Sequence, residues 1–128
     1  MPELAFRDGV MDRIRLREPR FHENAYLFVL AALEFSQSRL TERRHVAGPE
    51  LAEACRDLAR ERYGVLARMV LEYWGIRRTA DIGDVVFTLV DLGLLLSQAS
   101  DTRDDFTDLF DFGEAFDRDY PWNAAPAA

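Results

Sequence analysis

The chain has few residues able to carry acid–base, nucleophilic or metal chemistry: two histidines, His22 and His45, and one cysteine, Cys55. A zinc site takes three or four nitrogen or sulfur ligands at recognisable spacings, and these three residues do not supply them. His22 stands where a helix opens. His45 sits in a linker just before another helix, where its expected role is to donate to a backbone carbonyl rather than to act as a general base. Cys55 falls on an apolar stripe, the ordinary place of a small buried thiol. No nucleophile elbow, phosphate loop or dinucleotide fingerprint occurs. Between Asp101 and Asp119 stand eight acids and two arginines, but calcium loops need oxygen ligands at alternating positions around a required glycine. Asp104, Asp105 and Asp108 would meet a magnesium ion only if the fold happened to gather them. The simpler reading is a solvated face between buried phenylalanines. Tyr73 and Trp74, with Arg77 and Arg78 close behind, have the composition of a stacking site; the plainer account makes Trp74 a plug between helices. With no convergent acid, base and nucleophile, neither an enzyme nor a metal or cofactor site is expected.

The elements that must position these residues are mainly helical. Residues 3–18 place Leu4, Phe6, Val10, Met11 and Ile14 at helical spacing, and Pro19 ends that segment. Residues 22–43 read as a long helix, apolar almost all round from Ala25 to Phe35, which predicts a core spine covered on several sides. Pro49 and Glu50 suit the first turn of the next helix, 49–62. There Leu51, Cys55, Leu58 and Ala59 form one stripe, and Gly64 is the expected cap. In 65–74 the residues Leu66, Met69, Val70, Tyr73 and Trp74 repeat that register until Gly75. Thr79 is a good N-cap for 80–92, with Asp81 in its first turn and Ile82, Val85, Val86, Leu89 and Val90 as its apolar stripe. The β-branched content there leaves a buried strand as a competitor. Leu94 to Gln98 reads as extended, 99–105 as a loop, and Phe106, Phe110 and Phe112 as one side of a second strand.

Helix, tight glycine turn, helix and hairpin is the order of a winged helix-turn-helix, here 65–74, 75–79, 80–92 and 94–112. The expected fold is therefore mainly α: a winged-helix-like domain with a C-terminal β-hairpin and a two-helix N-terminal extension, with an all-α bundle as the alternative. DNA binding does not follow. The outward positions of the second helix would be Asp84, Phe87, Thr88 and Asp91, that helix has no arginine, and its wing is acidic. Carboxylates brought to phosphates oppose binding. A docking face for a basic protein partner, made of Asp84, Phe87, Asp91, Asp104 and Asp105, fits better. Against it stands the reading in which Phe87 packs inside and the acids are merely solvated. The alternative function is nucleic-acid binding through arginines elsewhere: Arg39, Arg43, Arg44, Arg77 and Arg78.

Charge placement agrees. Met1 to Tyr63 holds eleven arginines and eleven acids, whereas Gly64 to Ala128 holds five arginines and twelve acids, the whole of the net charge of −7. Every basic residue is arginine, a planar bidentate donor suited to ion pairs. The 128 residues fit one domain, 1–122, with 123–128 as a disordered tail. A single cysteine allows no intramolecular disulfide, and neither a secretory signal nor a spanning apolar run is evident. The expected location is the cytoplasm.

The sequence also resembles a known group. The residues that carry the likeness are Pro19-Arg20-Phe21, Ala25-Tyr26 with Phe28-Val29, His45-Val46, Gly48, Glu50-Leu51 and Tyr63-Gly64. The strongest run is Leu71, Trp74-Gly75-Ile76, Thr79, Asp81, Gly83 and Val85-Val86-Phe87, followed by Leu89-Val90 and Asp105-Phe106. From about Leu4 to Trp122 the chain is similar to the Minf-type family of short, uncharacterised bacterial proteins. It departs from that pattern at Ala47, where the family has serine, and at Tyr63 and Ile82, where it has phenylalanine. Ala47 removes a hydroxyl that would cap a helix. The resemblance implies no activity, cofactor or catalytic residue. The function expected is thus a non-enzymatic protein-interaction or regulatory module.

Overall fold

A computed structural model describes residues 8–98 and 100–118. Its helices are α1 (Asp8–Arg17), α2 (Glu23–Ser38), α3 (Gly48–Tyr63), α4 (Ala67–Tyr73) and α5 (Thr79–Asp91). A 3₁₀ turn, Gly64–Leu66, precedes α4, and a 3₁₀ turn at Arg103–Phe106 and a π-helical turn at Gly113–Arg118 follow α5.

α2 begins at His22, whose extended backbone lets Nδ1 accept the Asn24 N–H at 3.0 Å. The His22 N–H donates to Trp74 O at 3.0 Å, tying the start of α2 to the end of α4. α2 packs against both α3 and α5. It buries Ala25, Tyr26, Phe28, Val29 and Ala32, while Leu27, Leu30 and Ala31 are only half-buried. It is a spine, covered on fewer sides than its composition predicts. α3 buries the expected stripe of Leu51, Cys55, Leu58 and Ala59. Its first turn is closed by the Glu50 carboxylate, which accepts the Ala47 N–H at 3.0 Å, so the capping absent from the Ala47 side chain comes from the other partner. Gly64, at φ +53°, ends α3 as predicted.

α5 buries Ile82, Val85, Val86 and Leu89 as its spacing requires, and it is a helix rather than a strand. Two details differ. Thr79 does not cap α5; its hydroxyl donates to Phe106 O at 2.6 Å and accepts the Leu109 N–H at 3.2 Å. Thr88 is buried rather than outward, its hydroxyl donating to Asp84 O at 2.7 Å. α4 differs more. Ala67 and Leu71 face inward, with Trp74 just beyond, while Leu66, Met69 and Tyr73 turn to solvent. A seven-residue helix lying on the surface can bury one side only. Small Ala67 allows the close approach, and Trp74 fills the space beside Phe28 and Tyr63 (ring centroids 5.7 and 5.8 Å). Trp74 is the plug.

The hairpin is absent. No strand occurs among the described residues, so the molecule is mainly helical and is not a winged helix-turn-helix. The physical reason lies in the acids of 94–118, which bond local backbone N–H groups and leave no ladder to build. Asp101 accepts from Gln98 N at 2.6 Å, Asp105 from Thr102 N at 2.9 Å, and Asp111 from Glu114 N at 3.0 Å. Phe106 therefore sits in a 3₁₀ turn, buried with Phe112 and Phe116 rather than alternating along a strand. Arg60 of α3 pins the π-helical turn by donating from Nε to Ala115 O at 3.0 Å. The predicted tail, 123–128, lies outside the described residues. Among the described residues no helix is long and apolar enough to cross a membrane.

Candidate interaction surface

Asp84, Phe87 and Asp91 are brought together along α5, but not as an open acidic face. Asp84 accepts from Arg20 Nη2 at 2.5 Å and from Arg103 Nη1 at 2.8 Å. Asp91 accepts from Arg17 Nη2 at 2.6 Å, with Arg103 Nη2 at 3.8 Å. The bond to Asp84 raises the Arg20 guanidinium pKa above its ordinary value, against the opposing effect of partial burial. Phe87 is half-buried, edge-on to Phe106 (6.5 Å between centroids) and under the Arg103 guanidinium at 5.4 Å. It packs against these neighbours without being fully buried, and the acids beside it are ion-paired rather than merely solvated. Three arginines thus meet the carboxylates that a basic partner would need, and close α1 and the Arg103 turn onto α5. Asp104 is exposed, whereas Asp105 bonds the backbone N–H and hydroxyl of Thr102 (2.9 and 3.2 Å).

The arginines of the nucleic-acid alternative lie on separate segments. Arg39 bonds Asp57 at 3.0 Å and Arg43 bonds Glu34 at 3.1 Å. Arg44 grips both oxygens of Glu50, at 3.0 and 2.7 Å. That bond, with the Ala47 N–H, holds the Glu50 carboxyl down at about 2. Arg78 lies 3.8 Å from Asp81, and the Arg77 backbone N–H donates to the same carboxylate at 2.9 Å. A phosphate would have to compete with these carboxylates.

An apolar surface stands elsewhere. Val65, Leu66, Met69 and Tyr73 are 52%, 51%, 66% and 80% exposed, on and just before α4. Large side chains this open, grouped on one short element, are uncommon on a surface that contacts water alone. The Tyr73 ring leans on His22, with centroids 6.2 Å apart. Two hollows share residues, and the first of them reaches Trp74. One, of about 250 Å³, is lined by Leu27, Arg62, Tyr63 and Trp74 among others. The second, of about 460 Å³, lies over Leu30, Ala31, Phe35 and Leu58 and shares Leu27 and Arg62 with the first. The sequence signal for this surface is excess: residues 65–74 carry more apolar side chains than one face of a short helix can bury.

The other chemistry-bearing residues are placed as follows. Cys55 is buried, and desolvation raises its thiol pKa well above the ordinary value. His45 does not donate to a backbone carbonyl as expected; its Nε2 lies 3.0 Å from Asp101 Oδ1, pairing two loops far apart in the chain. Among the described residues no group of three or more His, Cys, Asp or Glu is arranged to hold a metal ion. No protein-family model, curated protein or solved structure matches the chain.

Proposed function

We propose that the protein is a non-enzymatic protein-interaction or regulatory module acting in the cytoplasm, with its contact face on the outward side of α4 and the 3₁₀ turn before it. The observation that carries this reading is the open apolar group of Val65, Leu66, Met69 and Tyr73. Burying such side chains against a partner is favourable by about 25 cal/mol per Å² of apolar area, before the cost of association. The net charge of −7 selects a partner with a basic rim, since complementary potentials speed encounter and suppress wrong partners. The ion-paired α5 face is then a scaffold rather than the contact. The likeness to the Minf-type family rests on the residues quoted above and adds no activity.

Capture from native cytosol, with and without nuclease, tests this with wild type and the double variant Met69→Glu/Tyr73→Glu. A stoichiometric protein partner should survive nuclease and be lost in the variant, whose thermal midpoint stays unchanged. Equal capture by both proteins would remove α4 from consideration. Capture that vanishes with nuclease would move attention to Arg43, Arg44, Arg77 and Arg78.

A further inference from the structure

A cavity of about 400 Å³ is lined by residues of α2, α3, α5 and the loops, and by none of α4. Its walls are apolar, with Leu33 of α2, Val86, Phe87 and Val90 of α5, Leu94 and Phe106 all facing it. Phe106 can form the floor because of two glycines. A Cβ on Gly83 would come within 2.9 Å of the Phe106 ring, and one on Gly48 within 3.1 Å of it. Gly93, at φ +74°, reverses the chain after α5, and the Leu94 N–H returns to Leu89 O at 2.9 Å. That reversal lays Leu94 and Leu95 along the cavity as a wall.

The rim is polar, with Gln37, His45 and Ser97 beside two carboxylates. Asp101 and Asp105 both line the cavity, and no arginine does. The nearby guanidiniums are engaged elsewhere, Arg44 with Glu50 and Arg103 with Asp84. Asp101 accepts from His45 Nε2 and the Gln98 N–H, and Asp105 from the N–H and hydroxyl of Thr102. An ionised carboxylate has about four acceptor positions, so both retain acceptor capacity. A concave apolar site of this size with a few convergent polar groups is the usual form of a small-molecule site. The carboxylates exclude an anionic head, and the hydrocarbon walls exclude a sugar or nucleotide.

We propose that this cavity binds a small primary amine, its ammonium at Asp101 and Asp105 and its apolar body between Phe87, Phe106, Val90 and Leu94. This site is separate from the α4 contact face, and neither proposal depends on the other.

The test is calorimetric titration of the full chain at pH 8 with three probes of equal length: hexylammonium, 1-hexanol and hexanoate. Hexylammonium should bind about tenfold tighter than hexanol, as a charge-assisted bond outweighs a neutral one, and hexanoate should bind weakest. Asp101→Asn and Asp105→Asn should each erase the preference for the amine over hexanol. Val90→Trp, which fills the cavity, should abolish binding of all three. Hexanoate binding as tightly as hexylammonium, or no saturable binding of any probe, would overturn the proposal. That ranking is read on the wild-type chain and stands whether or not a variant folds.

Discussion

Thr79 opens α5 with a hydroxyl that faces away from its own helix, donating to Phe106 O at 2.6 Å and accepting from Leu109 N at 3.2 Å. Both bonds are made by a side chain that is 1% exposed, and the one to Phe106 O is itself buried. They hold the turn that carries Phe106, and with it the floor of the cavity. Thr79→Val keeps the shape and removes the hydroxyl, leaving the buried Phe106 carbonyl unpaired at about 1–3 kcal/mol. The urea midpoint of that variant should fall well below wild type, and Thr79→Ser should restore much of the difference. Equal midpoints for Val and Ser would mean that the methyl, not the hydroxyl, matters here. Thr79 was legible in the sequence as a helix-start residue. Its bonding across 27 residues was not, because a local preference for caps says nothing about a distant carbonyl.

α4 is the element on which the spacing and the fold diverge. Its apolar residues satisfy two helical registers at once, and only packing against α3 chooses between them. Leu71, 1% exposed, belongs to the inward side, and Met69, 66% exposed, to the outward one. Leu71→Ala should therefore cost about 2–5 kcal/mol, as buried leucine truncations do. Met69→Ala should stay within about 0.5 kcal/mol of wild type, as surface substitutions do. Chemical denaturation of the two variants measures the contrast; similar losses would place Met69 in the core and deprive the contact face of its central residue. The 94–118 segment makes the complementary point. Its alternating phenylalanines read as a strand, but aspartates at short intervals bond N–H groups a few residues away, and that local bonding prevails where no neighbouring strand is available.

At the scale of the whole molecule, a chain with no lysine leaves the buried phenol of Tyr26 to link folding to alkaline pH. Tyr26 lies at the centre of the core, its hydroxyl donating to Glu18 O at 3.2 Å. Burial first, and then the Glu18 carboxylate, push its phenol up to about 12, against opposing effects of Thr88 and Arg20. Burial raises the Cys55 thiol in the same sense. Because folding strengthens the phenol's hold on its proton, the stability it contributes is whole below pH 10 and is lost as pH rises from 10 toward 12. Wild type should thus lose stability steeply in that window, and Tyr26→Phe should flatten the Tyr26 part of the fall while losing about 1 kcal/mol at neutral pH with its hydrogen bond. Denaturation midpoints measured from pH 8 to 12 check this; parallel curves for the two proteins would remove Tyr26 as the source.

By itself the sequence determined the helices that periodicity and breakers mark together, α2 and α3, with the buried stripe of α3, the Gly64 stop and the buried Cys55. These follow from interactions within a few residues and from the apolar area each helix must hide. For the α5 segment the sequence left a strand as competitor, and for Trp74 a stacking role beside the plug. The tertiary structure alone decided which side of α4 stays open, that arginines 17, 20 and 103 meet the α5 carboxylates, and that His45 pairs with Asp101. It also decided that Phe106 enters between Gly48 and Gly83 to form a cavity. Each of these joins residues far apart in the chain. Composition states which charges and rings are available, but only the packing of one helix on another selects their partners.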